Sequence, residues 1–136
     1  MNRALLTLIA VTAAALAPLA HAAEPARMSK APKVQRACFY ARSVTNFAAA
    51  DDRNLYIRVG RREVYHLAMF GNCFDLSWVH ALGLKSRGAN FVCEGTNVSL
   101  DVVTRDAGLG VQSCPVSAIR KLTPEEAAAL PKGARP

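Results

Sequence analysis

Apolar and polar residues alternate most cleanly in two stretches of this chain. Along Asn54–Val59, Leu55, Ile57 and Val59 alternate with Tyr56 and Arg58, the two-residue period of a strand with one face on a core. Gly60, Arg61 and Arg62 interrupt the pattern and predict a hairpin turn. The chain then returns through Glu63–Phe70, with Tyr65, Leu67 and Met69 sharing one face. Leu67, Ala68 and Met69 are good helix formers, but the short run and its hairpin partner select a strand. The second clean stretch sets Val98, Leu100 and Val102 against Ser99, Asp101 and Val103.

Weaker patterns fill the rest. Cys38–Val44 carries β-branched and aromatic residues and reads as a first strand, ending before the turn-forming stretch Ala48–Asn54. Cys73–His80 reads as a short helical or irregular corner with Phe74, Leu76 and Trp78 apolar. Ala81–Ser86 and Asn90–Gly95 form two short apolar runs, and Arg87–Asn90 between them predicts a hairpin turn. A Gly-rich turn at Asp106–Gly110 leads into a last strand to Leu122, in which Pro115 demands an edge or a bulge. Thr123, Pro124 and Glu126 spell a helix start with a capping box, and Pro131 stops the helix. About six short strands with one short C-terminal helix predict an all-β, mainly antiparallel, small barrel or sandwich.

The N-terminus changes the setting. Arg3, the apolar stretch Ala4–Leu16, Pro18 and the small-residue site Ala20-His21-Ala22 are the successive regions of a secretory signal peptide, residues 1–22. The apolar run is shorter than the about 20 residues of a membrane span, and no Cys stands directly after the cut, the first being Cys38. The expected product is periplasmic or secreted and does not span the membrane after cleavage. Residues 23–36 read as a disordered basic leader, 37–130 as a disulfide-stapled β domain and 131–136 as a disordered tail. The formal net charge of the full chain is +7, and four of the cations (Arg27, Lys30, Lys33 and Arg36) lie in the leader. Four cysteines, Cys38, Cys73, Cys93 and Cys114, predict two disulfides in an oxidising compartment. Their wide spacing lacks the close pairs of a zinc site or a redox motif.

Several features together resemble a family known only as a domain of unknown function, found in small exported, disulfide-containing proteobacterial proteins. They are the opening Cys38-Phe39, then Tyr65, Leu67, Met69, Cys73 and Leu76, then Val92-Cys93 and Gly95. Cys114, Val116, Ile119 and Leu122-Thr123-Pro124-Glu125-Glu126 complete the set. The resemblance covers about residues 36–130 and implies a secreted, stapled β domain without bringing an activity. The chain departs from that layout at Thr96, where the resemblance implies an acidic residue. Three cysteine connectivities are open. The expected one ties Cys73 to Cys93, corner to following hairpin, and Cys38 to Cys114, first strand to last.

Candidate chemistry is sparse. His66 and His80 are the imidazoles of the exported part, and neither lies in a motif that supplies a nucleophile and an orienting acid. Asp51-Asp52 read as turn formers, and Asp75, Asp101 and Asp106 show no calcium-loop spacing. No catalytic residue, metal or cofactor is assigned. Arg58, Arg61 and Arg62 with Tyr56 and Tyr65 form a candidate partner-binding face on the second hairpin. Export makes an envelope protein, glycan or anionic surface the expected partner, rather than nucleic acid. The expectation is a non-enzymatic binding or structural module of the cell envelope. The alternative is a small secreted enzyme inhibitor or a hydrolase-like enzyme.

Overall fold

A computed structural model describes residues 35–106 and 110–136. The signal peptide, most of the basic leader and the centre of the Gly-rich turn lie outside the described residues. Among the described residues nine strands form two sheets: β1 (Cys38–Tyr40), β2 (Val44–Ala49), β3 (Asn54–Val59), β4 (Glu63–Met69), β5 (Leu82–Ser86), β6 (Phe91–Cys93), β7 (Gly95–Thr96), β8 (Leu100–Asp106) and β9 (Gly110–Lys121). The larger sheet runs β2-β3-β4-β9-β8-β5 with every pairing antiparallel, and β7 adds to β9. It curls into a half-barrel. β1 and β6 form a separate two-stranded sheet. Helix α1 (Pro124–Ala129) follows the last strand, so the architecture is the expected antiparallel all-β one.

The alternation read from sequence places the core. Leu55, Ile57 and Val59 of β3 and Tyr65, Leu67 and Met69 of β4 are buried on the concave face, joined by Leu100 and Val102 of β8 and by Cys114, Val116 and Ile119 of β9. Phe39 of β1 and Val92 of β6 bring the small sheet onto the same core. Gly60 opens the β3–β4 turn at φ +60°, a left-handed conformation that a side chain resists. Asp51 sets the β2–β3 turn, where its Oδ1 accepts from the main-chain N–H of Arg53 (2.7 Å) and of Asn54 (2.8 Å). Pro115 sits in a central strand, in register with Asp101 of β8 and two residues before a bulge. Ser117 is an extra residue where β9 passes Ala68 and Met69, and the carbonyl of Pro115 accepts from Phe70 N–H at 2.8 Å.

Several expectations are corrected. The first strand breaks after Tyr40 into a 3-10 turn (Ala41–Ser43), and the chain resumes as β2 through Ala48 and Ala49, which the sequence assigns to a turn. Pairing to β3 outweighs the weak strand preference of alanine. β5 and β6 are strands but not partners, since β5 pairs with β8 and β6 with β1. That divergence reverses the cysteine pairing. Cys38 and Cys93 are directly opposite in the β1–β6 register and form one disulfide, while Cys73 after β4 meets Cys114 of the neighbouring β9 in the other. Residues 131–136 are also not a loose tail. They contain a 3-10 turn (Lys132–Ala134) with Ala134 and Pro136 buried. Together with α1 this segment covers the convex face of β2 and β4, where Val64 and Leu122 are buried outside the main core.

Candidate functional site

The β3–β4 hairpin divides its candidate residues between two faces. Register places Tyr56 opposite His66 and Arg58 opposite Val64 on the convex side, and Tyr65 opposite Ile57 on the concave side. Tyr65 is therefore a core residue, 1% exposed and packed on Phe39 with ring centroids 4.7 Å apart, and it leaves the candidate binding face. Arg58 is half-buried and its guanidinium donates to the main-chain oxygen of Pro136, so it clamps the C-terminal segment. Arg61 and Arg62 stand exposed on the turn, and among the described residues neither forms an ion pair. Of the five predicted residues, these two present free charge and Tyr56 presents a half-buried ring.

The convex face carries a row of neighbours across four strands: Ala48, Tyr56, His66 and Arg120. Tyr56 stacks on His66 at 4.9 Å. The His66 Nε2 is 2.8 Å from Asn54 Oδ1, and Asn54 Nδ2 donates to both carboxylate oxygens of Asp51 at 2.9 Å. With the amide nitrogen of Asn54 committed to Asp51, its oxygen faces the ring, so Nε2 carries the proton and donates. Burial and then the nearby Arg120 hold the His66 pKa below its ordinary 6.5, against a smaller opposing pull from Asp51. The hydrogen bond from Asn54 and the one from Arg53 N–H lower the pKa of Asp51. Asp51, Asn54 and His66 thus form a closed polar chain, and among the described residues no hydroxyl or thiol joins it. All four cysteines are in disulfides, and His80 lies exposed in the corner.

Beside this row runs a shallow groove of about 290 Å³, lined by Tyr56, Arg120, Leu122, Glu126, Leu130 and Pro131. The Arg120 guanidinium closes on the Glu126 carboxylate at 2.8 and 2.9 Å, and Glu126 also completes the capping box with Thr123. A second polar cluster lies at the concave end of β4 and β9. Lys121 Nζ pairs with Glu63 and lies 5.9 Å above the Tyr65 ring. Burial and then Glu63 raise the pKa of Tyr65, and the bond to Glu63 raises that of Lys121.

Sequence reading missed Glu94. Its Oε2 accepts from Ala37 N–H at 3.0 Å and its Oε1 from Lys121 N–H at 2.5 Å, so one half-buried carboxylate joins the start of β1 to the end of β9. The available signal was an acid immediately after a disulfide cysteine, within Val92-Cys93-Glu94-Gly95.

Two further grooves flank β5. One of about 300 Å³ lies among the loops around β6 and is lined by Arg36, Arg87, Phe91, Glu94 and Asn97. The other, about 250 Å³, lies between β2 and β5 and is lined by Arg42, Val44, Thr45, Phe47, Leu82 and Leu84. Phe70, Phe74 and Trp78 are exposed on the corner after β4, so of the three apolar positions read there, Phe74, Leu76 and Trp78, the structure buries Leu76 alone. No group of three His, Cys, Asp or Glu side chains with metal-binding geometry occurs among the described residues, and no described helix is long and apolar enough to cross a membrane. Neither a curated protein nor a solved structure matches the chain. A model described as a family of unknown function, DUF6491, matches residues 1–136, and the chain belongs to that family.

Proposed function

We propose that this chain is a non-enzymatic binding module of the cell envelope, and that the β3–β4 turn is part of its contact surface. Two disulfides point to an oxidising, non-cytoplasmic compartment. The observation that carries the reading is the contrast within one hairpin. Arg58 is committed to holding the C-terminal segment, whereas Arg61 and Arg62 stand exposed on the turn with no internal carboxylate partner among the described residues. Free, positioned cations of this kind suit an anionic patch on an envelope protein, glycan or lipid surface.

The test uses the chain with an affinity tag inserted in the leader after residue 24, cross-linked in its own envelope and compared with the Arg61→Ser/Arg62→Ser double variant. Loss of specific cross-linked partners, with the melting temperature unchanged, is the expected result. An identical partner set from the variant removes the turn from the contact surface. Arg58 stays intact in both proteins, because its replacement would loosen the C-terminal clamp.

A further inference from the structure

The half-barrel leaves two sheet edges unpaired, β2 and β5, and the groove between them is floored by Val44, Phe47, Leu82 and Leu84. The hydrogen-bond register shows which main-chain groups face it. Arg87 N–H donates to Ser99 O at 2.9 Å at the end of β5, so Lys85 and Gly83 point their main-chain groups to β8, while Leu82, Leu84 and Ser86 point theirs to the open edge. On the opposite side Ala50 N–H donates to Asn54 O at 2.9 Å, so Phe47 and Ala49 face outward. There the N–H of Phe47 is already met by its neighbour's Asn46 Oδ1 at 2.9 Å. The β2 edge therefore offers one free donor fewer than its outward-facing residues would supply, whereas the outward N–H groups of Leu82 and Leu84 on β5 have no such local acceptor among the described residues.

Charge around the groove has one sign. Arg42 lines it, Lys85 is exposed on β5, and the Thr45 hydroxyl of the lining donates at 2.8 Å to the carbonyl of Gly60, the residue that precedes Arg61 and Arg62. The carboxylates on adjoining strands are occupied, Asp101 with Arg87 at 3.1 Å and Glu63 with Lys121. The first 3-10 turn is tied to the β5–β6 loop through Ala41 N–H and Asn90 O at 3.1 Å, which bounds the slot at that end.

We infer that this slot receives an extended, acidic segment of a partner protein, which adds as a strand antiparallel to β5, sets apolar side chains on Phe47, Leu82 and Leu84, and directs carboxylates to Arg42, Lys85 and the Arg61–Arg62 turn. The inference rests on the binding-module reading above and names its partner chemistry. Main-chain bonding supplies affinity in this mode and the side chains supply selection. β5 and β2 run antiparallel to one another, so a strand antiparallel to β5 lies parallel to β2, and antiparallel pairing is the stronger of the two.

The test titrates the isotope-labelled protein, residues 23–136, with the heptapeptide Ac-Glu-Val-Glu-Val-Glu-Val-Glu-NH2, recording amide shifts and hydrogen exchange. Three comparisons accompany it: the same peptide N-methylated at alternate residues, a Lys-for-Glu version, and the Arg42→Glu/Lys85→Glu variant, in which both altered side chains are exposed. Expected are shifts and slowed exchange at Leu82 and Leu84, loss of binding on N-methylation, and affinity lower by about tenfold or more for the Lys peptide and for the variant. Equal binding of the N-methylated peptide, shifts confined to Arg61 and Arg62, or no shifts at all each overturn the strand-addition site. None of these three outcomes counts against the turn as a contact surface in the cross-linking comparison, so the two proposals fail separately.

Discussion

Single side chains do work in this domain that their positions in the chain do not advertise. Glu94 satisfies two main-chain N–H groups from segments far apart in sequence, and charge-assisted acceptance makes each bond worth more than a neutral one. Glu94→Gln keeps the shape but turns one acceptor into a donor aimed at an N–H. A loss of about 1.5–3 kcal/mol is expected, read as a lower urea midpoint at unchanged slope. His66 gives a pH signature. Its folded pKa lies below 6.5, so the unfolded chain takes up the proton first as pH falls. The contribution of His66 is therefore complete above about pH 6.5 and is lost progressively as pH falls through the folded pKa. Urea midpoints of the wild type and His66→Gln at about pH 7.5 and about pH 5 check this, and the variant should show the smaller decline. Residue roles were legible where alternation alone decides them, as for Leu55, Ile57 and Val59. Tyr65 shows the limit: the same alternation that put it with Leu67 and Met69 excludes it from a face shared with Tyr56, and only the register enforces that exclusion.

At the level of elements, strands were easier to read than their partners. The period of two marks β3, β4 and β8, but nothing in Ala81–Ser86 says that it pairs with β8 rather than with the run that follows it. Ala48 and Ala49 were hidden because their strand character comes from β3 beside them. The capping box of α1 was fully legible, since its chemistry is local to Thr123–Glu126. The packing of the segment beyond Pro131 was not, because Ala134 and Pro136 find their partners on strands about eighty residues earlier. Deleting residues 131–136 removes the buried Ala134 and Pro136 from their seat against β2 and releases Arg58. A loss of about 1–3 kcal/mol is expected, visible as a lower melting temperature with the disulfides intact.

Over the whole molecule, the two staples serve different parts: Cys38–Cys93 holds the small sheet together, and Cys73–Cys114 holds the corner after β4 to the central strand. Sequence separations of 55 and 41 residues make each worth about 4 kcal/mol by loop entropy, comparable to the stability of a domain this size. Reduction should therefore unfold much of the population near room temperature, followed by circular dichroism. Peptide mapping without reductant should join Cys38 to Cys93 and Cys73 to Cys114, and a Cys73–Cys93 peptide would contradict this topology. The order of strands adds a temporal constraint. β9 is the last strand in sequence yet lies at the middle of the sheet, bonded to β4, β7 and β8. A chain emerging N-terminus first, from a ribosome or through a membrane pore, has no neighbour to join its two halves until residue 121 is out. Up to that moment β2–β4 on one side and β5 with β8 on the other lack the strand that lies between them, so the full sheet is completed last at its centre.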